Sequence, residues 1–124
     1  MHPKTEQSLR SVADACREIE LNLAGISLET YRNARQVQLS TERLFEIVGE
    51  ALSRAERSEP EIVASIPSAR NIIGMQNRIT HGYDAIDHET VSTAAVKHAP
   101  SLRDQVNAIL EQHAATSDPL HTTE

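Results

Sequence analysis

Aromatic residues are almost missing from this chain. Tyr31, Phe45 and Tyr83 make up 2% of 124 residues, and there is no tryptophan. Platforms that hold single strands by stacking bases on rings are therefore nearly absent. Cysteine is nearly absent as well. Cys16 alone cannot form an internal disulfide, which fits a reducing compartment, so a cytoplasmic location is expected. Its place in a helical apolar pattern marks it as a small core residue. No run approaches the roughly 18 consecutive apolar residues of a membrane helix, and the first five residues hold no apolar leader segment. No membrane partner is expected. Basic excess is also lacking: 12 Lys and Arg stand against 18 Asp and Glu, for a net charge of −6. A broad nonspecific nucleic-acid surface needs the opposite balance, whereas a small local cleft does not. His2, His88, His98, His113 and His121 are scattered without metal-ligand spacing. No glycine-rich phosphate loop or nucleophilic triad pattern occurs. Neither a metal nor a cofactor is expected.

What remains is enough for one helical domain. Hydrophobic residues make up 39% of the chain, and mean hydropathy is −0.42. No strand pattern or internal repeat is visible. Leu9, Val12, Cys16, Ile19, Leu23 and Ile26 recur at spacings of three and four, which predicts a first helix from about Glu6 to Ala24, ended by Gly25. Ser27 caps a short segment, Leu28 to Arg32. A second long helix is expected from Ala34 to Arg57, its apolar stripe formed by Val37, Leu44, Ile47, Val48, Ala51, Leu52 and Ala55. Gly49 inside it is either a tolerated defect or a place where another backbone comes close. Glu42, Glu46 and Glu50 repeat every four residues and read as a solvated or salt-bridged face.

Ser58-Glu59-Pro60 breaks that helix, and Glu61 to Ser65 can form one turn. Ser68 is placed to start a third helix through about Thr80, with Gly82 at its end. Asp87 caps a last helix that Pro100 should kink or restart, ending near His113. Residues 1–5 and 114–124 are expected to be flexible, with 6–113 forming the domain. An aliphatic core this small is often completed by a second copy, so a homodimer is expected.

The densest chemistry lies in Gly74-Met75-Gln76-Asn77-Arg78-Ile79-Thr80-His81-Gly82-Tyr83, with Asp87 following. Asn77 and Arg78 are four and three residues before His81 and share its helical face. Gln76 is five before it, roughly 140° round a helix, so the two converge only if a partner helix closes a cleft or the helix loosens near Gly82. Tyr83 lies just past the helix end. An imidazole can serve as acid or base near neutral pH. A guanidinium offers a fixed charge to phosphate oxygens. Each residue also has an ordinary role: a helix-terminal His caps through the dipole, Tyr83 packs half-buried, and Arg78 is a solvated charge.

This string resembles the HepT-type HEPN-domain proteins, the toxin half of HepT–MNT toxin–antitoxin modules, now grouped as type VII. The likeness covers about residues 8 to 112. It includes Glu42-Arg43-Leu44 through Gly49-Glu50-Ala51, the Ile72-Ile73-Gly74-Met75 lead-in and the Asn77 to Tyr83 core. The resemblance implies an all-α up-and-down bundle of four to five helices that dimerises through the motif-bearing helices. It implies a metal-independent endoribonuclease acting on RNA. It also implies a nucleotidyltransferase partner of the MNT type, which in some systems attaches AMP to the motif Tyr. The family motif is Arg, four to six residues, His, any residue, Tyr. His81 and Tyr83 match it, which gives His81 a catalytic role and Tyr83 the role of AMP acceptor. The Arg position holds Gln76, which keeps an amide and loses the charge. Losing one preorganised donor costs on the order of 10²–10³ in rate. Arg78 and Arg70 are the nearby groups that can compensate, and Asn77 belongs to the same candidate catalytic set. The alternative is a catalytically silent HEPN dimer that binds its partner or a nucleotide.

Overall fold

The computed structural model describes residues 1–80 and 87–117. His81, Gly82 and Tyr83, with the expected helix stop at Gly82, lie outside the described residues. Within them every regular element is a helix: α1 (Pro3–Leu23), α2 (Leu28–Arg32), α3 (Arg35–Ser58), α4 (Pro60–Ala64), α5 (Ala69–Thr80), α6 (His88–Thr93), a π-helical turn (Ala94–His98) and α7 (Ala99–Ser117). No described helix is long and apolar enough to cross a membrane.

α1 begins earlier than its apolar period suggests. The His2 imidazole accepts the Lys4 amide at 3.0 Å, and Pro3 occupies the first turn, where its fixed φ and missing N–H cost nothing. Gly25 follows the helix at φ 73°, a left-handed conformation that favours glycine. Ser27 caps α2 as expected, accepting from the Thr30 amide. The last carbonyls of α2 are met from α3: the buried Gln38 amide donates to Tyr31 O at 2.8 Å and Arg32 O at 3.0 Å.

Two pairs fix α1 antiparallel to α3: Thr5 bonds Ser58 at 2.6 Å, and Asn22 donates to Ser40 at 2.7 Å. α3 is flanked on its other side by α5, while α7 packs on α1, where Arg103 pairs with Glu20 at 2.7 Å. One core runs through these helices, with Leu9, Ile19, Phe45, Leu52, Ile72 and Leu102 fully buried. Aliphatic burial at about 25 cal/mol per Å² drives the assembly.

Three expectations need correction. Glu42 is not on a solvated face: it is buried at 8% exposure, and its Oε2 has no hydrogen-bond partner. Glu46 and Glu50 do behave as expected, both reaching Arg43. The buried face of α3 is rotated from the predicted stripe. Phe45, Val48, Ala51, Leu52 and Ala55 point inward, while Val37, Leu44 and Ile47 are only half-buried. The reason is that α3 is covered from two sides, by α1 and α5. Pro100 falls in the first turn of α7, as the restart reading expected, but the last helix ends later than expected. The π-helical turn falls just before it, and the helix then continues to Ser117, past the expected end at His113. A π turn shifts bonding to the fifth residue back, which relieves the conflict between a proline ring and the carbonyl four residues earlier.

Candidate active site

α5 carries the first part of the motif, and its sequence explains how it sits. Ser68 precedes it. The Ser68 carbonyl accepts the Ile72 amide at 3.3 Å, and its hydroxyl and amide engage the Gln105 side chain. Ile72, Met75 and Ile79 then face the core at the spacings of an amphipathic helix. This leaves Asn77 and Arg78 exposed on the last turn.

Gln76 is buried at 9% exposure, because α5 meets α3 at Gly49. A Cβ built on Gly49 would stand 3.0 Å from Gln76 Cδ and closer still to its Cγ and Cβ. Gly49 therefore marks a close approach of two helices, not a tolerated defect. The stem of residue 76 lies in the notch that the missing side chain leaves. An Arg at 76 has the same Cβ, Cγ and Cδ, so the notch suits either residue and does not by itself explain the Gln. Gln76 and Asn77 each have a polar or electrostatic partner. Arg78, by contrast, makes no ion pair among the described residues. Arg70 sits at the other end of α5 and pairs with Glu56 of α3, so it is not an unpaired charge near Gln76.

On the far side of the motif the described chain resumes with α6. Asp87 caps that helix, accepting the Glu89 amide at 3.0 Å and the Thr90 hydroxyl at 2.9 Å. Those bonds, the Thr90 hydroxyl first, hold the Asp87 carboxyl below its usual range. Arg32 of α2 pairs with Glu89 at 3.4 Å. Behind the start of α6 lies a polar cluster that the sequence did not reveal. The Tyr31 and His88 rings meet edge to face at 5.8 Å, and Glu42 is close enough to influence both. Tyr31 Oη, Glu42 Oε2 and His88 Nδ1 are buried without hydrogen-bond partners. Burial, and then the Glu42 charge, push the Tyr31 phenol up to about 12. Burial also raises the Glu42 carboxyl, opposed by His88 and Arg35.

Beside the motif, α5 and the α6–π-turn stretch enclose a cleft of about 620 Å³ that includes Gly74, Arg78, Thr93 and His98. His98 had no visible role in the sequence, because it reaches this place only through the packing of distant helices. Among the described residues no group of three or more His, Cys, Asp or Glu could hold a metal ion.

The geometry defines an all-helical protein with a polar motif at the end of one helix, next to an open cleft. The model of the family described as HepT-like, "Ribonuclease HepT-like", matches residues 12–109, and the chain belongs to that family. It is also 25% identical over 104 residues to the protein named "Putative RNase TTE0752" from Caldanaerobacter subterraneus subsp. tengcongensis. That match covers 84% of this chain and 92% of the relative. No solved structure matches the chain.

Proposed function

We propose that this chain is a HepT-type HEPN endoribonuclease toxin acting on RNA as a homodimer, with its motif around His81. The observation that carries the reading is the family match over residues 12–109, which spans the whole motif. The named relative adds a ribonuclease reading from its own printed name. In this scheme an RNA 2′-hydroxyl loses its proton and its oxygen attacks the adjacent phosphorus. The bond from phosphorus to the 5′-oxygen breaks, leaving a 2′,3′-cyclic phosphate and a 5′-hydroxyl. His81 is the acid or base, and a second copy in the dimer supplies the other. Isologous pairing is the commonest way to bring two such groups together. Asn77 and Arg78 hold phosphate oxygens. Gln76 contributes an amide where a guanidinium would stabilise the phosphorane better.

An MNT-type nucleotidyltransferase is the proposed antitoxin, with Tyr83 as AMP acceptor. The phenol attacks the α-phosphorus of ATP, pyrophosphate leaves, and the phenolic proton passes to solvent or a base of the partner. The bulk and negative charge of the added AMP would repel an RNA phosphate. The second reading is a catalytically silent dimer that binds a partner or nucleotide. Gln76 favours it, since a buried neutral amide stands in the motif's Arg position.

Gln76→Arg separates the two. The Gly49 notch accepts the arginine stem, so the variant should fold, and RNA cleavage should rise on the order of 10²-fold. The rise should vanish in the His81→Ala background, because both groups act on one transition state. No cleavage in Gln76→Arg would support the silent reading. For the partner, incubation with the nucleotidyltransferase, ATP and Mg²⁺ should place AMP on Tyr83 by peptide mass mapping. AMP found elsewhere, or persisting in Tyr83→Phe, would refute that assignment.

A further inference from the structure

The cleft beside α5 has its own chemistry, and we propose that it binds the sugar–phosphate backbone of single-stranded RNA. The inference rests on the RNA-directed reading above and locates the strand on the protein. Its floor is Gly74. A Cβ built there meets no heavy atom within 4 Å, so the space beside it is open. Asn71 and Arg78 rise from α5 on one side, and Thr93 and His98 face them from the other. Asn71 and Arg78 are seven residues apart, so they lie on nearly the same helical face about 10 Å along the axis. That geometry suits consecutive contacts along an extended strand.

Charge is decided by what is already engaged. Asp87 and Glu89 also line the cleft. Asp87 keeps its negative charge, but both its oxygens are engaged by the Glu89 amide and the Thr90 hydroxyl, and Glu89 pairs with Arg32. Arg70 at the far end is held by Glu56. Arg78 is exposed and carries no ion pair among the described residues, so its guanidinium is available to an incoming anion. His98 adds an imidazole donor or acceptor from a π-helical turn, a local geometry found disproportionately at functional sites. Among the described lining residues there is no Phe, Tyr or Trp, and the polar groups they offer are a guanidinium, an amide, hydroxyls and an imidazole, which suit phosphate and sugar. Such binding is tolerant of sequence and sensitive to salt.

The test uses a fluorescein-labelled 2′-O-methyl oligonucleotide, which cannot be cleaved through its own 2′-oxygen, with anisotropy as the readout. Gly74→Leu fills open space and gains helix propensity, so it should keep or raise the melting temperature while weakening binding roughly tenfold. Gly74→Ala, whose methyl leaves most of the cleft open, should bind nearly as the parent does. Arg78→Gln should weaken binding by a similar factor and flatten the slope of log K against log salt by about 0.7, one phosphate contact on a single strand. His81→Ala should still bind, which separates this site from the cleavage reading. Wild-type binding in both Gly74→Leu and Arg78→Gln would overturn the proposal. It would equally fall if the parent showed no binding at low salt, whatever its cleavage activity. Conversion of a dimer to a monomer by Gly74→Leu in light scattering would overturn it too, by assigning the cleft to a second copy of the chain.

Discussion

Gly49→Ala is a one-methyl change whose sign depends on the closeness of α3 and α5. In an open helix the substitution would stabilise by up to about 1 kcal/mol, from helix propensity and a less flexible unfolded chain. Here the new methyl would overlap the Cβ and Cγ of Gln76 and stand 3.0 Å from its Cδ. Rotating Gln76 can move Cγ and Cδ but not Cβ, which is fixed to the backbone. α5 must therefore shift away from α3. Overpacking of this kind costs about 1–3 kcal/mol, so the net effect should be a loss of about 1–2 kcal/mol. For a chain of this size that corresponds to a melting temperature lower by about 4–8 °C. Thermal and urea denaturation at one fixed protein concentration would read it, since any dimer makes stability concentration-dependent. Gln76→Gly removes the offending Cβ. In that background Gly49→Ala should be neutral or stabilising, giving a coupling energy of about 1–2 kcal/mol. A Gly49→Ala protein that melts higher than the parent would show that the helices are not in close contact, and the placement of Gln76 would fall with it.

Two further outcomes follow from buried titratable groups. Glu42 has a folded carboxyl raised above its ordinary 4.5 by burial. The folded state then binds more protons than the unfolded one, so stability falls as pH rises from 4.5 through the folded value. Glu42→Gln should accordingly be more stable than the parent at pH 7 and lose that advantage at pH below 4. A difference independent of pH in urea titrations, or destabilisation at pH 7, would contradict the burial of this carboxyl. Cys16 is 1% exposed, and burial followed by the Glu20 charge pushes its thiol up to about 12, with Arg103 opposing. A thiol reagent at pH 8 should leave the native protein unmodified and label one thiol per chain in urea; rapid native labelling would refute this environment.

Much of the helical layout was legible because it depends on local signals. Ser27 and Asp87 cap α2 and α6 through their side chains, and Gly25 takes the left-handed turn that its position after an apolar period required. The features that were not legible depend on packing. Glu42 looked like one of three evenly spaced surface acids, and only the meeting of α2, α3 and α6 buries it beside Tyr31 and His88. Pro100 was legible as a first-turn residue of a restarted helix, but no sequence rule anticipates the π turn that precedes it. The site divides the same way. Gln76 was noticed as a missing charge, yet its burial against Gly49 requires two helices twenty-seven residues apart in register. Gly74 and His98 gain meaning only as the floor and wall of one cleft.

The central claim is that His81 cleaves RNA without a metal. An end-labelled RNA incubated with the purified protein in EDTA, beside His81→Ala, measures it most directly. The account predicts slow cleavage that leaves a 2′,3′-cyclic phosphate, increases in Gln76→Arg, and disappears in His81→Ala. Cleavage that persists undiminished in His81→Ala, or none from either the parent or Gln76→Arg, would contradict it.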